Sequence, residues 1–495
     1  MERAISGISW ILFGLATAVL LRPILITAIA ADDLINPFSQ IYHAGTGIDP
    51  ILSRSWDFVS KTGHFNYVGQ TIGAMVLLVW SYLIGNFDFR YSAVYAWSKY
   101  LTYVFTVIVA AGYVRTLLRL ARVTVSKWLT RAVVLAALAM TLQIHIPWSN
   151  DPVASYPLSG YLTAAIGLSF LWLHLNMNGT TAWTVVLGTG LLGAVAVLYY
   201  EYNLFAVLAV IPGAVYALWV TRDDTAKLRA LVLRHLAAVV PAIATAGFFY
   251  LRNRAASAAY SGTAISLDGE FVGTFWRGLV SSLPASSWPF AFDWLTGPLR
   301  MDPWVMVGPV VGLGSVSVIV FLNRSRPHLR DDPRGQHPGS VLLVGLLPIV
   351  GYWMGTTFTQ TATQKVQDES SRIGHVYNYY AVGSTAVVII TVVLSLFLLT
   401  DHSRRMLVAL GVSTLMVLGT FQWALNWNVM VQFNGVVSGS RNLLVAVTEQ
   451  PPMPERCSVL DTWKAMGWPE YYWLDMELGL NRLYEIHKGE PFCRR

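Results

Sequence analysis

Two adjacent carboxylates, Asp32 and Asp33, follow directly on the first long apolar stretch of the chain. Side by side they repel, which raises the proton affinity of one of them. Such a pair suits a general base, or a pair of ligands for a divalent cation such as Mg or Mn. It also suits a plain solvated stop signal at a helix exit. Two further acids fall at the ends of later apolar stretches: Asp151 in Pro147-Trp148-Ser149-Asn150-Asp151-Pro152, and Glu201 in Tyr199-Tyr200-Glu201-Tyr202-Asn203. Glu201 reads either as the solvated acid of a tight turn or as a carboxylate lining one cavity with Asp32 and Asp33. A cation stands opposite these acids in Arg372-Ile373-Gly374-His375-Val376-Tyr377-Asn378-Tyr379-Tyr380. A guanidinium fork matches two phosphate oxygens. His375 lies beside it, and the rings of Tyr377 and Tyr379 could hold a sugar. The bland alternative is a rim arginine in an aromatic belt. Arg22-Pro23 either snorkels outward or faces the same anionic pocket. His43 and His145 read as structural.

The elements that must position these residues are membrane spans. The chain has 495 residues, 55% of them apolar and 12% charged. A soluble chain carries about 25% charge, and so few charges could not cover so much apolar surface in water. This excludes a soluble enzyme, a disordered chain and a small disulfide scaffold. An all-α polytopic membrane protein remains. Eleven stretches are apolar enough to predict spans: 8–30, 97–118, 131–148, 157–175, 181–200, 204–221, 235–251, 304–322, 340–356, 380–400 and 406–425. A twelfth, 67–86, is ambiguous.

Positive charge decides sidedness. Arg115, Arg119, Arg122, Lys127 and Arg131 form one cluster, and Arg222, Lys227, Arg229 and Arg234 a second. Arg324, Arg326, Arg330 and Arg334 form a third, and Arg404 with Arg405 a fourth. All four fall on one side only if 67–86 does not cross, so that stretch reads as an amphipathic or re-entrant piece on the outer face. The expected N-terminus is then cytoplasmic and the C-terminus extracytoplasmic. Basic clusters placed by topology remove nucleic acid as a partner, despite the net charge of +7. Ala28-Ile29-Ala30 looks like a signal-peptide cleavage site. The stretch before it is long and interrupted by Arg22, which favours a retained first helix.

The expected organisation is a transmembrane body over 1–425, with a first outer loop at 31–96, and an extracytoplasmic tail over 426–495. The tail is too short to build a large core alone, so it is expected to pack on the body or to supply a small acceptor-binding surface. Both cysteines, Cys457 and Cys493, fall in it. An even count in an oxidising compartment predicts one disulfide. No cysteine spacing suggests zinc or haem, and no glycine-rich phosphate loop suggests a nucleotide.

A first span ending in an Asp pair, a long first outer loop, acids at outer span ends and an Arg-His-Tyr entry to a late span together resemble the GT-C superfamily of integral-membrane glycosyltransferases. The layout is most similar to the mycobacterial-type arabinofuranosyltransferases and mannosyltransferases, and the likeness spans most of 1–400. The resemblance implies a GT-C-like helical body with outer-face juxtamembrane helices, in a bacterial plasma membrane. It further implies an inverting transfer from a polyprenyl-phosphate-linked sugar donor to a glycan, glycolipid or protein acceptor outside. Asp32 and Asp33 would then be catalytic, with Glu201, Asp151, Arg372, His375, Tyr377 and Tyr379 binding substrate. A secondary transporter would carry its ionisable groups near the midplane and often an inverted repeat, and neither is evident. An outer-face glycan polymerase or ligase acting on diphosphate-linked lipids would share lipid and location.

Overall fold

The computed structural model describes residues 2–27, 29, 31–45, 47–86, 90–145, 158–177, 182–253, 261–323, 328–329, 337–369, 372–374, 379–466 and 470–494. These are helical almost throughout. The first connecting region follows α1 (Glu2–Leu20) and α2 (Arg22–Leu25) and holds α3 (Ala31–Ala44), α4 (Ile48–Thr62) and α5 (Tyr67–Gly85). The body continues through α6 (Arg90–Leu120), α7 (Lys127–Thr141), α8 (Tyr161–Met177), α9 (Trp183–Tyr199), α10 (Asn203–Leu208), α11 (Ile211–Val220) and α12 (Thr225–Asn253). Two short helices, α13 (Phe271–Ser281) and α14 (Trp288–Trp294), precede α15 (Pro303–Leu322) and α16 (Pro338–Thr361). Then come α17 (Gln364–Glu369), α18 (Tyr379–Leu398), α19 (Arg405–Val436), α20 (Ser438–Glu449), α21 (Met453–Lys464) and α22 (Glu470–Lys488). One antiparallel pair, β1 (Val123–Thr124) with β2 (His328–Leu329), joins two loops.

Among the described residues, seven helical segments are long and apolar enough to cross a membrane: 93–120, 203–220, 225–253, 303–322, 338–361, 379–398 and 408–436. This is the build of an all-α polytopic membrane protein. The other four predicted spans also coincide with helices. α1 has 19 residues, and α8 and α9 have 17 each, or about 26 Å. Of the stretch 131–148, residues up to Thr141 belong to a 15-residue helix wedged among α1, α6, α15, α18 and α19, and the described residues beyond it, 142–145, are not helical. The chain beyond it is extended, and side chains take up its backbone groups. Gln143 N donates to Tyr380 Oη (2.9 Å) and Ile144 N to Asn426 Oδ1 (2.9 Å), while Asn426 Nδ2 donates to Leu142 O (2.7 Å). Non-helical backbone at such depth is tolerated only when it is satisfied inside the protein.

Contacts place the α6–α7 and α15–α16 connections and the start of α12 at one end of the bundle. The β1–β2 pair joins the α6–α7 and α15–α16 connections. Ser126 caps α7 and donates to Asn323 Oδ1 (3.1 Å), and Asn323 Nδ2 donates to Ser9 Oγ (3.0 Å). Arg119 donates to Asn176 at the end of α8 (3.1 Å), and His174 of α8 meets His235 of α12 (3.1 Å). Small residues let neighbouring helices approach closely, as where Gly190 of α9 faces the backbone of Ala237 in α12.

The opposite end carries a second core. Leu34, Ile35, Phe38 and Ile41 of α3 pack with Leu443, Leu460, Trp463, Leu480 and Tyr484 of the tail. Gly479 of α22 lies so close to Phe38 O that a side chain there has no room. The loop over 31–86 and the tail therefore share one apolar interior, and the expected boundary at 425/426 falls inside α19, which runs unbroken to Val436. The amphipathic helices of the loop are α3 and α4, whereas α5 is apolar on all sides. Its Gly69 abuts Tyr199 at the end of α9, and Val76, Leu77 and Leu83 pack on the second core. It thus lies along the end of the bundle away from the basic loops.

Cys457 and Cys493 are joined across 36 residues, with Cα atoms 5.1 Å apart. Beside them the buried Arg456 donates to Phe492 O (3.0 Å) and Glu490 (2.8 Å) and stacks on Tyr484. Cys493→Ser should destabilise the tail by about 2–4 kcal/mol. Limited proteolysis under non-reducing conditions checks this, with faster cleavage near residues 450–495 expected.

Candidate functional site

At the end of the bundle away from the basic loops, the first loop meets the α9–α10 turn through a His–Glu pair. Gly63, at φ 80°, ends α4 in the left-handed region that glycine adopts without strain. The chain then turns, and His64 points its Nδ1 at Glu201 Oε1. Glu201 sits in the tight connection after α9, where Asn203 N donates to Tyr200 O (2.9 Å) and Leu204 N to Glu201 O (3.0 Å). Asn203 braces that turn by donating to Ala196 O (2.9 Å) and accepting from Tyr352 Oη (2.6 Å). Asn253 at the end of α12 donates to His64 O, and Thr263 Oγ1 donates to Thr62 O (2.7 Å). Four separate elements therefore fix the pair.

Both side chains are largely shielded, at 13% exposure for His64 and 14% for Glu201. Burial pulls the His64 pKa down, but the charge and hydrogen bond of Glu201 outweigh it, and Lys365 opposes them weakly. The net direction is upward from the usual value. Glu201 Oε2 is buried and accepts no hydrogen bond among the described residues. A buried carboxylate oxygen left so is costly and marks a place where a donor from a ligand would be stabilised. An imidazole oriented by a carboxylate through Nδ1 is also the arrangement that moves protons at its other nitrogen.

The other expected residues distribute differently. Asp32 and Asp33 occupy the first turn of α3, a position that favours carboxylates electrostatically, and their side chains lie outside the described residues. Asp151, His375 and Tyr377 also lie outside them. Arg372 is at the rim, with its side chain 65% exposed and paired with Asp293 at 3.4 Å. A pair this exposed contributes little to stability. Tyr379 departs from expectation. Its residue is 1% exposed, its backbone N is held by Gln360 Oε1 (2.5 Å), and Gly278 of α13 packs on its ring. That burial removes its ring from any surface on which a sugar could stack. Among the described residues no three His, Cys, Asp or Glu gather as a metal centre.

Two ionisable groups were missed in the sequence. His64 stands alone between helices, and its one signal is the preceding glycine, which turns it toward the bundle. Lys99, in mid-α6, is 2% exposed; its Nζ reaches Thr27 O (3.4 Å) and lies 4.4 Å above the Tyr95 ring. It sits beside the α2–α3 connection that leads into Asp32 and Asp33. His145 packs edge-on against Tyr380, and His43 sits 4.0 Å from Asp475 of α22. Compared with protein families, curated proteins and solved structures, the chain matches none.

Proposed function

We propose that this protein is an integral-membrane glycosyltransferase. It moves one sugar, with inversion, from a polyprenyl-phosphate donor to an envelope glycan, glycolipid or protein acceptor. The positive-inside rule puts the basic loops and the N-terminus in the cytoplasm, so the His64–Glu201 end faces outward from a bacterial plasma membrane. The observation that carries the reading is Glu201. It is a shielded carboxylate with one unsatisfied oxygen, pinned to the first outer loop, on the same end of the bundle as the acid pair of α3 and the rim arginine of 372–374.

In the transfer, an acceptor hydroxyl oxygen bonds to the anomeric carbon while the bond from that carbon to the phosphate oxygen breaks. The polyprenyl phosphate leaves with the electron pair. Asp33 or Asp32 takes the hydroxyl proton, a contribution of about 10²–10⁴-fold. Glu201 binds an acceptor hydroxyl through Oε2 and is itself positioned by His64. Arg372 and His375 offset the charge on the leaving phosphate, and Asp151 and Tyr377 help hold the sugars. A Mg or Mn ion on the acid pair would supply further charge stabilisation at that phosphate.

Purified full-length protein offered polyprenyl-monophosphate-linked sugars and envelope glycan acceptors should release polyprenyl phosphate and form a product of inverted anomeric configuration. Consumption of diphosphate-linked donors alone would indicate a polymerase or ligase. Solute uptake into proteoliposomes without any transfer would indicate a transporter. Either result overturns the proposal.

A further inference from the structure

A second feature of the same end goes beyond glycosyl transfer and does not depend on it. Arg22 follows α1 at the level where the first helix gives way to α2. Its guanidinium lies 4.6 Å above the ring of Trp427, which stacks on Trp423 at 5.7 Å, and Trp423 Nε1 donates to Leu20 O (2.8 Å). The cation is thus held over an aromatic plate that is itself anchored to the end of α1. The next residue of α19, Asn428, grips the backbone of Arg300 from both sides. Arg300 N donates to Asn428 Oδ1 and Asn428 Nδ2 donates to Arg300 O, each at 2.9 Å. Two arginines from distant parts of the sequence therefore flank one turn of α19.

Both residues are exposed, and among the described residues neither takes part in an ion pair. The nearest acid in sequence, Asp302, is already committed: its Oδ1 accepts from Val305 N (3.1 Å) as the cap of α15. The depth is set by that same helix. α15 is one of the seven helices able to cross, and Trp304 in its first turn is 80% exposed, as an indole at a bilayer boundary is. Two guanidinium groups at the boundary opposite the basic loops run against the charge bias that sets topology. An anionic headgroup at that boundary gives them a partner, because the guanidinium fork fits phosphate oxygens and acyl chains can lie along the apolar face below.

We propose that Arg22 and Arg300 form a binding site for the phosphate of an anionic lipid at the outer edge of the bilayer. Arg22 is held ready by Trp427, and Arg300 is held by Asn428.

The test counts lipid retained by delipidated full-length protein in native mass spectrometry, with phosphatidylglycerol, polyprenyl monophosphate and inorganic phosphate offered separately. Wild-type protein should retain a phosphate lipid that R22A/R300A holds about tenfold or more weakly, the scale expected for two interfacial arginines. Displacement of bound phosphatidylglycerol by polyprenyl monophosphate assigns the site to the polyprenyl lipid. Resistance to it assigns the site to bilayer phospholipid. Should the alanine pair fail to fold, R22Q/R300Q, which keeps length and polarity, is read in its place. Equal retention by wild-type and variant protein overturns the site, as does displacement by inorganic phosphate alone.

Discussion

Glu201→Gln should weaken use of the acceptor by about 10–100-fold, the scale of one hydrogen bond to a charged group, while donor binding is unchanged. It should also reverse the pH dependence of stability at His64. In the wild-type protein burial lowers the imidazole pKa, but the charge and hydrogen bond of Glu201 carry it above its usual value. The unfolded chain has that usual value, near 6.5. A raised folded value means that the pair's stabilising contribution is fully present below about pH 6.5 and is lost as pH rises through the folded pKa. With glutamine at 201 the shielding remains and the anion does not, so burial alone acts and the folded pKa drops below the unfolded one. Acidification then destabilises where it formerly did not. Melting temperatures of both proteins between pH 5.5 and 8.5 read the sign directly. Parallel pH profiles, with transfer unaffected, would remove the pair from both roles.

Gly479→Val should separate the tail from the α3–α5 loop. A Cβ at 479 would collide with the carbonyl of Phe38, a backbone atom that no rotamer change can move. Overpacking of this kind costs about 1–3 kcal/mol where side chains can adjust, and here α3 or α22 must shift as a whole. Because α3 carries Asp32 and Asp33 on its first turn, the displacement reaches the acid pair without touching it. The expected result is earlier protease cleavage in 437–495 together with loss of transfer, while the α1–α15 and α9–α12 packing stays intact. Normal activity with an unchanged cleavage pattern would show that the second core does not position the acid pair.

Composition alone pointed to an all-α polytopic membrane protein, because 55% apolar and 12% charged residues suit no soluble chain, and the helices long and apolar enough to cross agree with it. Each predicted crossing overlaps a helix among the described residues, and three of the four arginine clusters flank connections that share one end. The reason is local: each span's apolar run and each loop's charge are properties of contiguous residues. Other outcomes depended on contacts across the sequence. The short α7 and its extended exit exist because Gln143, Tyr380 and Asn426, far apart in the chain, supply hydrogen bonds that a helix would otherwise make. The boundary at 425/426 vanished because α19 continues into a core built jointly with α3. Glu201 was legible as an acid at a span end, yet its partner His64 lies 137 residues away and carries no motif. Tyr379 looked like a sugar platform in sequence and became core once α13 packed on it. Residue type fixes what a side chain can do, but only the packing of remote helices decides which groups are shielded, which are paired and which are left facing a ligand.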